Sequence, residues 1–83
     1  MFVKMFTFGL LATNCFLVGD TESGEAMVID PGFDSEAEAK ALVKEIERNG
    51  FEVKLILNTH GHPDHVGGNR FMKGYSNAPV LIH

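Results

Sequence analysis

The sequence predicts an α/β fold on a mixed sheet that starts antiparallel and continues into a β-α-β unit. Three observations carry this expectation. Residues Phe2 to Phe8 alternate in strand fashion, two further apolar runs bracket a polar turn, and a capped amphipathic helix lies between two strand-like runs. The chain has 83 residues, 45% hydrophobic and 22% charged, which describes one folding unit over residues 1–83. A core is feasible at this size, but with a thin stability margin that a metal or more protein would support.

In the first element, Phe2, Lys4, Phe6 and Phe8 share one parity, and Val3, Met5 and Thr7 the other. Aromatic and β-branched residues on both parities predict a strand largely covered on both faces. Thr7 and Gly9 interrupt the apolar run and no small-x-small cleavage site follows, so a strand is expected in place of a signal peptide. Cys15 to Gly19 and Glu25 to Asp30 read as the next two strands, joined through Asp20-Thr21-Glu22-Ser23-Gly24, whose turn-formers suit a hairpin.

Ser35 with Glu38 three positions later forms a capping box. Ala39, Leu42, Val43 and Ile46 then keep the spacing of one apolar helix face, and Gly50 ends the helix. Glu36 and Glu38 near the start and Lys44 and Arg48 near the end complement the helix dipole. Val53 to Leu57 reads as a buried strand, so Ala26 to Leu57 should be a β-α-β unit with parallel strands. Parallel strands end on one edge, which brings Asp30-Pro31-Gly32 and Asn58-Thr59-His60 to the carboxyl edge where open α/β sheets bind ligands. Gly67-Gly68-Asn69 should open a short second helix through about Met72, and Pro79 to Ile82 should form a last strand.

Net charge is −4 and the sequence pI about 5.4, without a Lys/Arg stripe, so nucleic acid is not an expected partner. The longest apolar stretches fall far short of the roughly 18 residues of a membrane span, so no membrane partner is expected. The single cysteine, Cys15, has no intrachain disulfide partner, which favours a reducing cytoplasm. Its apolar neighbours predict a buried small hydrophobe.

Chemistry concentrates in Thr59-His60-Gly61-His62-Pro63-Asp64-His65-Val66-Gly67-Gly68, which holds three of the four histidines and one of the four aspartates. Imidazoles and a carboxylate together suit zinc, and also iron, manganese or cobalt. In locally extended backbone His60 and His62 point to one side and can share an ion. Pro63 redirects the chain so that Asp64 and His65 can reach a second ion. Gly67 and Gly68 allow close approach to a metal, and Val66 can anchor the segment inward. Asp30, at the neighbouring strand end, is positioned to accept the outer ring N–H of a ligating histidine; the plainer reading of Asp30-Pro31-Gly32 is a turn.

At these residues the sequence resembles the metallo-β-lactamase superfamily, whose His-x-His-x-Asp-His signature is His60-Gly61-His62-Pro63-Asp64-His65. Asn14 to Val18, Ile29-Asp30-Pro31-Gly32 and Ala78 to His83 extend the similarity to the amino-terminal half of glyoxalase II-like members, hydroxyacylglutathione hydrolases, over essentially the whole chain. The resemblance implies half of an αββα sandwich and a dinuclear zinc site, with His60 and His62 on one ion and Asp64 and His65 on the other. Iron or manganese are the alternatives. It implies hydrolysis of a small-molecule thioester or ester by a metal-bound hydroxide, with Asp64 orienting the nucleophile or relaying a proton. The superfamily also spans lactam and lactone hydrolases, nucleases and a persulfide-oxidising iron branch. Members draw a further His, a bridging Asp and a last His from downstream sequence, so this chain carries half of the ligand set. His83 closes a strand in that pattern and is not a ligand. The competing expectation is a non-catalytic fragment or metal-binding module that needs a complementary chain. A homodimer that imitates the full sandwich by two-fold symmetry is the third.

Overall fold

The computed structural model describes residues 1–10, 12–59 and 66–82. In chain order they form β1 (Phe2–Phe8), β2 (Thr13–Gly19), β3 (Glu25–Ile29), α1 (Glu36–Arg48), β4 (Glu52–Asn58), α2 (Val66–Ser76) and β5 (Val80–Ile82). The strands make one sheet in the order β1-β2-β3-β4-β5. Pairs β1/β2 and β2/β3 are antiparallel, while β3/β4 and β4/β5 are parallel, which is the expected mixed sheet with its β-α-β unit. His83, expected to close the last strand, lies outside the described residues.

The β2–β3 hairpin is closed by Asp20. Its amide donates to the Glu25 carbonyl, its carbonyl accepts from Gly24, and its carboxylate accepts from the Glu22 amide. Helix α1 starts as its sequence requires, with Ser35 in extended conformation and its hydroxyl accepting from the Glu38 amide at 3.2 Å. Glu38 directs its carboxylate outward from the helix, onto the Asp34 and Gly9 amides, and so ties the β1–β2 turn to the helix start. At the other end Gly50 adopts φ 67°, its amide bonds the Glu47 carbonyl, and the Phe51 amide bonds the Ile46 carbonyl. These are the two bonds of a Schellman cap, in which a glycine accepts the left-handed conformation without a Cβ clash.

Ala39, Leu42 and Ile46 from α1 and Met72 from α2 meet Cys15, Leu17, Ala26, Val28, Val53 and Ile56 in one core. Val53 and Ile56 both face the helices although they are three residues apart. The register shift between β3 and β4 explains this: Met27 pairs with Leu55 where its neighbour Ala26 pairs with Val53, leaving Lys54 as the extra residue.

The other face of the sheet is also apolar. Val3 pairs with Val18, Met5 with Phe16, Met27 with Val18 and Leu55, and Leu57 with Ile29 and Leu81, which puts them in cross-strand rows on one side. Val3, Met5 and Leu81 there are 59%, 55% and 52% exposed. The expectation that β1 is covered on both faces is therefore corrected. Its Phe2, Phe6 and Phe8 pack toward the core, while Val3 and Met5 belong to a face that no helix among the described residues covers.

Helix α2 begins at Val66 and runs to Ser76, four residues beyond the expected Met72. Gly74 does not stop it, because a solvent-facing helical glycine costs only about 1 kcal/mol and nothing lies within 4 Å of where its Cβ would be. The stop comes later. Asn77 takes φ 58° and bonds the Lys73 carbonyl, and Pro79 follows. No helix among the described residues is long and apolar enough to cross a membrane.

Candidate functional site

The parallel pairing of β3 and β4 brings their carboxyl ends together, and the candidate site is framed there. At the end of β3 the ladder continues for one bond, from the Asp30 amide to the Leu57 carbonyl at 2.8 Å. Asp30 then takes φ 53°, which for a residue with a Cβ is uncommon outside turns and functional sites. Its carbonyl accepts from the Gly32 amide at 2.7 Å, completing a tight turn through Pro31.

Asp30 is 7% exposed, and its side chain reaches across to the end of β4. Oδ1 accepts from the Thr59 amide at 2.8 Å and Oδ2 from the Thr59 hydroxyl at 2.5 Å. The carboxylate thus grips the residue immediately before His60. On the far side of the histidine-rich segment, Gly68 in the first turn of α2 packs against the same turn. A Cβ there would lie 1.6 Å from the Pro31 carbonyl oxygen. A side-chain bond from Asn58 Nδ2 to Asn69 Oδ1, 2.8 Å long, links the last residue of β4 to the start of α2. Both flanks of residues 60–65 are therefore held against each other and against Asp30-Pro31.

His60, His62, Asp64 and His65 themselves lie outside the described residues, as does the side chain of Val66. Among the described residues no three His, Cys, Asp or Glu side chains gather as a metal-binding group. The donor set that the sequence supplies between the two held flanks is three imidazoles and one carboxylate, the nitrogen and oxygen mixture that a borderline divalent cation prefers. The residues fit such an ion.

Nearby groups have structural duties. Cys15 is fully buried, and burial pushes its thiol up to about 12, with the Asp30 charge acting in the same direction. It is a core residue, as its apolar surroundings predict. The Glu38 carboxyl is held below the usual range, chiefly by the Gly9 amide and then by Asp34.

Two features escaped the sequence reading. Gly68 has a packing role that its sequence reading did not include, since its missing side chain makes room for the Pro31 carbonyl. Asn58 and Asn69 drew no functional assignment. A signal existed for Asn58: it stands two positions after buried Ile56, so a polar side chain falls on the core side of the strand, where it needs a partner.

Comparison with known proteins supplies the context for this geometry. Residues 8–83 match the family model described as "Metallo-beta-lactamase superfamily". An uncharacterized protein of Aquifex aeolicus (strain VF5) is 45% identical over 83 residues, all of this chain and 36% of the relative. A hydroxyacylglutathione hydrolase of Pelagibacter ubique (strain HTCC1062) is 42% identical over 66 residues, 80% of this chain and 26% of that enzyme. The crystal structure of the BLEG-1 B3 metallo-beta-lactamase superposes with a TM-score of 0.79 at 30% identity, covering 95% of this chain and 35% of that one. The chain spans about a third or less of the length of these relatives.

Proposed function

The chain belongs to the metallo-β-lactamase superfamily, and on that premise we propose that it is the amino-terminal part of a metal-dependent hydrolase acting on a thioester or related ester. The observation that carries this reading is the frame around residues 60–65: Asp30 bonded to Thr59, Gly68 seated on Pro31, and Asn58 bonded to Asn69. Such a frame on the carboxyl edge serves a segment whose side chains must converge. The similarity to a hydroxyacylglutathione hydrolase supports a thioester as substrate.

In this proposal His60 and His62 hold one cation, and Asp64 and His65 hold the second, with zinc as the expected metal and iron or manganese as alternatives. Bound cations supply a water acidified toward a pKa of about 7 and a polarised acyl carbonyl. Asp64 would orient the nucleophile or relay its proton toward the leaving group, so no side-chain nucleophile would be required. Asp30 acts on the ligands without touching the metal. Thr59 engages both Asp30 oxygens and so fixes the carboxylate at this edge. The group is suited also to accept the outer ring N–H of a ligating histidine and hold its tautomer. The lone buried Cys15 is in keeping with a reducing, cytoplasmic setting.

The test is metal analysis of the full-length protein together with hydrolysis of a hydroxyacylglutathione, followed by thiol release. Chelation with verified metal loss should abolish hydrolysis, and undiminished turnover by the stripped protein would overturn the proposal. Asp30→Ala should weaken metal binding and slow turnover; unchanged values for both would remove Asp30 from the site.

The apolar sheet face that no helix among the described residues covers favours a second reading, in which these 83 residues are a non-catalytic module until another layer covers them. Val3, Met5 and Leu81 lie exposed on that face, and soluble proteins rarely leave a contiguous apolar patch of several hundred Å² in water. A complementary chain, further residues of a longer chain, or a second copy would each serve. Thiol release by the isolated 83 residues would exclude this reading.

A further inference from the structure

We infer that the Asn58–Asn69 side-chain pair is a positioning clamp for the histidine-rich segment, setting the separation of its two ends and through it the affinity of the metal site. The inference rests on the metal-binding reading above and deepens it. Asn58 is the last residue of β4 and 1% exposed, so its amide is out of water and must be satisfied by protein. Its Nδ2 donates to Asn69 Oδ1 at 2.8 Å, eleven positions along the chain.

The pair spans residues 59–68, and every proposed ligand lies inside that span. Two other contacts among the described residues attach the segment's flanks to the Asp30-Pro31 turn: Thr59 through the carboxylate, Gly68 through the Pro31 carbonyl. The asparagine pair differs in kind, because it joins one flank directly to the other. Metal coordination tolerates only about 0.2 Å in ligand distance, so ligands carried between two secondary elements depend on the separation of those elements. Asn58 and Asn69 need not touch metal or substrate to act in this way.

Asn69→Leu is near in size and removes the acceptor, while Asn69→Asp keeps an acceptor for the Asn58 amide and adds a negative charge in the first turn of α2, where the helix dipole favours one. The experiment measures two things in the full-length protein. One is hydrogen exchange of the backbone amides of residues 60–65 in the metal-free state. The other is zinc affinity by competition with a chromogenic chelator.

Asn69→Leu is expected to speed exchange in residues 60–65 by about twofold to tenfold, the range a net hydrogen bond supports, and to weaken zinc binding by a similar factor. Exchange in β2 and β3 should stay at the wild-type rate, and Asn69→Asp should restore both readouts. Unchanged exchange in residues 60–65, an equal rise throughout β2 and β3, or failure of Asn69→Asp to restore would each overturn the clamp. If the unmutated protein binds no zinc, the metal reading of the histidines falls, while the exchange comparison still decides the clamp.

Discussion

Replacing Gly68 by alanine sets two effects of opposite sign against each other. Inside a helix, glycine to alanine is worth about 1 kcal/mol in favour of folding, because alanine loses less backbone freedom. At Gly68 the new Cβ would lie 1.6 Å from the Pro31 carbonyl oxygen, against a limit near 3.0 Å that Cβ atoms observe. The shortfall, 3.0 minus 1.6, is 1.4 Å, and the obstacle is backbone. Helix α2 must move off the turn. A gap of 0.5 to 1 Å already forfeits about a quarter to a half of a dispersion contact, so Met72, now fully buried, loses packing. The Asn58–Asn69 bond, now 2.8 Å, is carried out of range. Overpacking of this kind costs about 1 to 3 kcal/mol and the hydrogen bond about 1 kcal/mol. Set against the helical gain, the expected net loss is about 2 kcal/mol. Gly74 in the same helix is the control, since nothing lies within 4 Å of its Cβ position, and alanine there should stabilise by up to about 1 kcal/mol. Urea unfolding of both variants beside the unmutated chain reads the two signs. A Gly68→Ala protein as stable as the parent would refute the contact with Pro31 as the reason for glycine at this position.

The buried Cys15 thiol should resist alkylation at pH 8 in the folded chain and react on unfolding; fast reaction in native buffer would contradict its placement in the core. Its pKa is raised from 9.0 to about 12, so its contribution is fully present below pH 9 and is lost as pH climbs from 9 toward 12. The slope is about 1.4 kcal/mol per pH unit, and a flat alkaline stability curve for the parent relative to Cys15→Ala would count against it. Glu38 shifts the other way, below 4.5. Its bonds to Gly9 and Asp34 therefore persist above that value and vanish as pH falls through the lowered pKa, so the Gly9 amide resonance should titrate with a midpoint under 4.5; a midpoint at or above it would dissociate the two groups. Met5→Glu should reduce self-association of the 83-residue chain in sedimentation, and an unchanged distribution would show that the open sheet face is not where copies meet.

Much of the architecture was legible in the residues. The hairpin turn at Asp20 to Gly24, the Ser35 cap, the apolar face of α1 and the glycine stop at Gly50 are local events, each decided by a few neighbouring side chains, and the structure reproduces them. The candidate donors His60, His62, Asp64 and His65 are an equally local pattern, because residue type and spacing are read directly from the chain. Contacts between distant residues were not legible. The extra residue at Lys54, the left-handed Asp30 gripping Thr59, the seat of Gly68 on Pro31 and the Asn58–Asn69 bond each need the register between separate elements. The fate of Val3 and Met5 was likewise undetermined, since alternation states that both faces of β1 are apolar but not which face has something to pack against. Residue type and spacing thus determined the elements and the candidate donors. Tertiary structure alone decided how the flanks of those donors are held, because a hydrogen bond or steric contact between separate elements, whether 11 positions apart as in Asn58–Asn69 or 29 as in Asp30–Thr59, has no periodicity to announce it.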